Sequence, residues 1–170
     1  MKIVFIGYMA SGKSAVAKEV SNQLNFELID LDAYIVYREG QDISDIFKEK
    51  GEIYFRKKEK EYLNEILSMK TSCVLSLGGG SPCFSGNMEL IIKKATSFYL
   101  RANVATIYNR LLSEKSKRPL VADIADENLQ EFIAKHLFER SSYYDQSNYI
   151  IPVNDKSVLE ISDEVLRILV

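Results

Sequence analysis

The chain has 170 residues, 46% of them hydrophobic and 27% charged, which fits one folded globular domain and excludes a disordered chain or two stacked domains. Its 22 Lys and Arg against 24 Asp and Glu give a net charge of −2, so no basic field favours a nucleic-acid partner. One histidine, His136, and two cysteines, Cys73 and Cys83, leave little material for a zinc site, a His-based triad or a disulfide framework, and free thiols in a reducing cytoplasm are expected.

A short buried strand is expected at Lys2–Ile6, breaking into Gly7. This apolar run falls far short of the roughly 20 residues of a membrane span, and no membrane partner is expected. Helical spacing follows over Ser14–Leu24, with Val16, Ala17, Val20 and Leu24 on one face. Glu27–Asp30 reads as a second strand. Leu31–Glu39 and Asp42–Lys50 read as short helices parted by Gly40, and Glu52–Met69 as a longer one. A third strand is expected at Cys73–Leu77, then Gly78-Gly79-Gly80, a helix near Asn87–Ala95 and a fourth strand at Ser97–Leu100. After a helix at Val104–Leu112, the polar stretch Ser113–Asp126 shows little periodicity and reads as a lid-like loop. The last third reads as a helix over Asn128–Tyr144, a strand at Tyr149–Val153 and a helix from Ser157. Strands alternating with helices imply parallel crossovers: an α/β fold, a three-layer α/β/α sandwich on a five-stranded parallel sheet, with the site at the strand C-terminal ends. The order of the strands is not legible from one sequence.

The strongest motif is Gly7-Tyr8-Met9-Ala10-Ser11-Gly12-Lys13-Ser14, a full G-x-x-x-x-G-K-S between the first strand and the first helix. Its glycines let backbone N–H groups and the helix N-terminus wrap a phosphate. Ala10, Ser11, Gly12, Lys13, Ser14 and Ala15 are the candidate nucleotide contacts. Lys13 supplies a mobile charge for the β and γ phosphates and Ser14 a hydroxyl for Mg²⁺. Asp30 and Asp32 end the second strand; one reading is an N-cap, the other a pair in which Asp30 lies near the metal's water shell and Asp32 accepts from a substrate hydroxyl. Gly78, Gly79 and Gly80 suggest close approach of backbone to a ligand, or else a plain flexible turn. Arg56, Arg118 and Arg140 are surface charges taken singly. They become a carboxylate or phosphate site only if the fold gathers them.

Taken together, Gly7 to Ser14, Asp30-Leu31-Asp32, Phe55-Arg56, Leu75 to Gly80, Phe98-Tyr99-Leu100, Arg118-Pro119-Leu120 and Glu139-Arg140 with Tyr144 resemble the shikimate kinases over nearly the whole chain. The resemblance implies a P-loop NTPase fold like that of nucleoside monophosphate kinases, and transfer of the ATP γ-phosphoryl group to the 3-hydroxyl of shikimate in chorismate and aromatic amino acid biosynthesis. It implies Mg²⁺ with ATP, one kinase domain over 1–170, a substrate-binding helical region at about 31–62, a lid at about 113–126, and a cytoplasmic monomer. By position it makes Lys13, Asp32 and Arg118 catalytic and gives Arg56 and Arg140 the substrate carboxylate. Gly78, Gly79 and Gly80 fall against the substrate, Ser14 and Asp30 near the metal, and Arg110 and Asn154 near adenine. Ala10 departs from the glycine frequent in the family. Another P-loop kinase, of gluconate or a nucleotide, and a non-catalytic ATP-binding relative remain the alternatives.

Overall fold

The computed structural model describes residues 1–84, 86–115 and 119–169. Five strands, β1 (Lys2–Ile6), β2 (Glu27–Asp30), β3 (Cys73–Ser76), β4 (Thr96–Arg101) and β5 (Tyr149–Pro152), form one sheet in the order β2-β3-β1-β4-β5. Every pair is parallel, with Val4 opposite Leu75 on one side and Ser97 on the other. Central β1 is buried along its whole length, as a strand covered on both faces must be.

Helix α1 (Lys13–Leu24) carries the chain from β1 past β3 to β2, whereas α4 (Asn87–Lys94) carries it from β3 past β1 to β4. These crossovers run in opposite directions, so right-handedness places their helices on opposite faces. Helix α8 (Val158–Leu169) packs beside α1, and α3 (Ile43–Ser68) beside α4, which makes the expected three layers. The change of direction at β1 opens a crevice beyond the strand C-termini, where ligands of such sheets bind.

Helix α2 (Leu31–Glu39) is closed by Gly40 at φ 64, a left-handed cap that glycine adopts without a Cβ clash. The two helices expected on either side of Gly51 are joined in α3, yet Gly51 at φ 82 and ψ 170 breaks the helical path at the expected place. The expectation of a loop over Ser113–Asp126 needs correction, because helix enters the stretch from both ends. Helix α5 (Val104–Glu114) runs into the stretch expected to be a loop, a helical turn α6 occupies Pro119–Ala122, and α7 (Asp126–Tyr144) begins at its end. Val121 is fully buried, so this turn is packed onto the core. Its apolar run, Leu120-Val121-Ala122, is too short to show a period. Cys73 and Cys83 are free thiols. Among the described residues no helix is long and apolar enough to cross a membrane.

Candidate active site

The phosphate loop links β1 to α1. Gly7 is required there: at φ 153, a Cβ on it would stand 2.8 Å from both the Leu100 carbonyl and Ser11 Oγ. Ala10 also holds a left-handed conformation, φ 59, which costs an L-residue about 1–2 kcal/mol and explains why glycine suits this position. Lys13 Nζ folds back to donate to the carbonyls of Gly7 and Tyr8, at 2.9 and 2.8 Å. A cavity of about 540 Å³ opens beside the loop, lined by Ala10 through Val16, by Arg110, Ser113 and Glu114 of α5, and by Lys156, Ser157 and Val158.

Arg110 Nη1 donates to the Ala10 carbonyl at 3.0 Å, which ties α5 to the loop. Asn154 is differently occupied. Its Oδ1 accepts from the Asn103 backbone N–H at 2.8 Å, and the residue lines a second cavity of about 550 Å³ with Tyr99, Arg101 and Phe138. The residues that reach the loop cavity from this part of the chain are Lys156 to Val158.

The second half of the site is built on the three glycines after β3. A Cβ on Gly78 would sit 3.2 Å from both carboxylate oxygens of Asp32, one on Gly79 3.3 Å from Arg140 Nη1, and one on Gly80 3.1 Å from Arg56 Nη2 and 3.7 Å from Arg140 Nη2. The bare backbone is crowded by the protein's own side chains, an acid and two guanidiniums from α2, α3 and α7. Tyr144, fully buried one turn beyond Arg140, donates to the Gly79 carbonyl at 2.6 Å and pins the turn to α7. Burial, then the charges of Asp30 and Glu59, push the Asp32 carboxyl up to about 6, against the opposing pull of Lys13 and Arg56. Asp30 caps α2, accepting from the Ala33 N–H at 3.0 Å. Arg118 lies outside the described residues.

Sequence reasoning missed Glu59. Only 1% exposed, it accepts from Arg56 Nη1 at 2.8 Å and from the buried Ser81 hydroxyl, while the Arg56 guanidinium lies 3.9 Å over the Phe84 ring. Arg56 is thereby held on both sides. The available signal was spacing: Glu59 follows Arg56 by three residues, one helical turn, but it stands in the charge run Lys57-Lys58-Glu59-Lys60-Glu61, which looks like a solvated face.

A phosphate loop on this sheet, beside a cluster of two guanidiniums and a carboxylate around Gly78 to Gly80, defines a class: a P-loop kinase acting on a small molecule. A family model described as shikimate kinase matches residues 9–170. The shikimate kinase of Flavobacterium psychrophilum is 44% identical over 170 residues, covering 99% of this chain and 98% of that one, and that of Flavobacterium johnsoniae is 43% identical over 169 residues, covering 99% and 98%. The crystal structure of shikimate kinase from Bacteroides thetaiotaomicron superposes with a TM-score of 0.91 at 31% identity, covering 99% of this chain and 98% of that one. That of Acinetobacter baumannii shikimate kinase in complex with shikimate gives 0.86 at 29%, covering 99% and 92%. The chain belongs to the shikimate kinase family, which are ATP-dependent kinases.

Proposed function

We infer that this chain transfers the γ-phosphoryl group of ATP to the 3-hydroxyl of shikimate, with ATP on the phosphate loop and the acid over Gly78 to Gly80. The observation that carries the reading is the meeting of Arg56 and Arg140, from separate helices, at Gly80, with Asp32 beside them at Gly78. Shikimate is a hydroxylated ring with one carboxylate. Two planar guanidiniums suit the carboxylate and an ionised Asp32 suits a hydroxyl.

Among the described residues no carboxylate forms an ion pair with Arg140, whereas Arg56 is already paired with Glu59 and Glu52. Arg140 therefore brings an uncompensated charge to the ligand. Asp32, ionised above its raised pKa of about 6, takes the proton as the acceptor oxygen bonds to the γ phosphorus. The bond from that phosphorus to the β–γ bridging oxygen breaks and ADP departs, with no phosphoenzyme. Lys13 leaves the Gly7 and Tyr8 carbonyls to meet the charge on the phosphates.

Mg²⁺ fits the donors present. Ser14 and Asp30 offer hard oxygens, and no cluster of three or more His, Cys, Asp or Glu among the described residues forms an all-protein cage, which suits an ion shared with phosphate and water. When bound it neutralises charge on the β and γ phosphates. The segment at 113–126 fits a lid because it joins α5, which holds Arg110 over the loop, to α7, which holds Arg140. Arg118 is assigned to the transferring phosphate on the resemblance alone. Both half-sites come from one chain, which supports one kinase domain working as a monomer, with 31–62 gripping the acid. The two free thiols suit the reducing cytoplasm. A coupled ADP-release assay over shikimate, gluconate and nucleoside monophosphates tests the reading. Turnover with shikimate is expected; turnover confined to another acceptor, or ATP binding without transfer to any, contradicts it.

A further inference from the structure

We propose that Tyr8 and His136 form a strut between the phosphate loop and α7 that sets the position of Arg140, making both positioning residues for the acid substrate. The proposal rests on reading Arg140 as a ligand of the substrate carboxylate.

Tyr8 is the first variable position of the phosphate loop, yet its side chain turns away from the nucleotide cavity and is 1% exposed. Its hydroxyl lies 2.9 Å from His136 Nδ1 across 128 residues of sequence. The two rings meet edge to face, with centroids 5.5 Å apart at 88°, and Phe132 backs the imidazole at 5.2 Å. His136 and Arg140 stand four residues apart on α7 and so share a face. The Tyr8 ring lies along that face, its centroid 5.9 Å from the Arg140 guanidinium carbon. The Tyr8 backbone is fixed as well, its carbonyl accepting from Lys13 Nζ and from the Ser11 N–H.

Arg56 owes its place to Glu59. Arg140 has no ion pair among the described residues; a hydrogen bond with the Tyr144 hydroxyl and packing hold it instead. A ring anchored in the loop at one end and tied by its hydroxyl to the preceding turn of α7 defines where that helix face, and Arg140 with it, sits over Gly79 and Gly80. The partner suits the task. Burial and the neighbouring Arg140 charge hold the imidazole below its usual range, so at neutral pH it is uncharged and does not compete for the carboxylate. If Tyr8 merely filled the core, its ring alone would suffice and the hydroxyl would be dispensable.

Steady-state kinetics of Tyr8→Phe, His136→Phe, the double variant, His136→Asn and Arg140→Ala test the proposal, with urea unfolding confirming that each is folded. Tyr8→Phe keeps the ring and is the decisive variant should His136→Phe fail to fold. Expected is a rise of roughly five- to tenfold in KM for shikimate, the loss of one buried hydrogen bond. KM for ATP and kcat should stay within about twofold, because the phosphate contacts are backbone groups and Lys13. The double variant should be no worse than either single one, and His136→Asn, with an amide where Nδ1 stood, should restore KM only when Tyr8 is present. An unchanged shikimate KM in Tyr8→Phe, multiplying single effects, or equal rises in both KM values overturns the strut. If Arg140→Ala leaves the shikimate KM unchanged, the ligand reading fails instead.

Discussion

Replacing Asp32 with Asn should slow catalysis severely and stabilise the fold at the same time. The carboxyl of Asp32 lies against Gly78, where burial and the charges of Asp30 and Glu59 lift its pKa from 3.8 to about 6. In the unfolded chain it returns to about 3.8, so the folded state holds this proton more tightly. The contribution to stability is therefore fully present below pH 4 and is lost as pH rises through 6. A shift of about two units corresponds to about 3 kcal/mol, an upper figure because Asp32 is not fully buried. Asn keeps the shape without the charge and removes that penalty. Urea unfolding of the ligand-free pair from pH 4 to 7.5 should show a stability difference near zero at the acid end, growing to about 1–3 kcal/mol at neutral pH in favour of Asn. Loss of the proton acceptor should lower kcat by about 10²- to 10⁴-fold. A variant with near-normal turnover, or a stability difference that does not change with pH, would refute the reasoning.

Lys13→Met should lower kcat by about 10²- to 10³-fold in the ADP-release assay, since it removes the charge that the proposed mechanism brings to the transferring phosphate; near-normal turnover contradicts that role. Glu59→Gln should raise the shikimate KM roughly tenfold by releasing Arg56, and should move the acid limb of the kcat/KM profile down from about 6, because one of the charges raising Asp32 is gone. The single histidine gives one imidazole to follow by NMR: Tyr8 from the loop and Phe132 on α7 touch it, burial and then the Arg140 charge lower its pKa, and Glu139 opposes them. A shikimate carboxylate at Arg140 should cancel the effect of that charge and raise the pKa of His136, with no rise in Arg140→Ala.

The sheet elements and the phosphate loop were legible because local pattern determines them. β1 and β2 fall on their expected spans, and Gly51 interrupts the helical path where the sequence placed a boundary. The strand order was not, since the pairing of β1 with both β3 and β4 depends on contacts about 70 to 95 residues apart that no local period encodes. Gly78 to Gly80 announced a close approach, but what approached them came from three helices. Resemblance, rather than periodicity, pointed to Arg56 and Arg140. Glu59 was hidden by its charged neighbours, and Tyr8 by a motif whose variable positions read as spacers. The packed turn at Pro119–Ala122 escaped because three apolar residues show no period.

The most direct test is a crystal structure of this protein with ADP, Mg²⁺ and shikimate. Shikimate should lie over Gly78 to Gly80, its carboxylate within hydrogen-bond distance of the guanidiniums of Arg56 and Arg140 and its 3-hydroxyl toward Asp32. A carboxylate docked elsewhere, with Arg140 turned to solvent, would contradict the account.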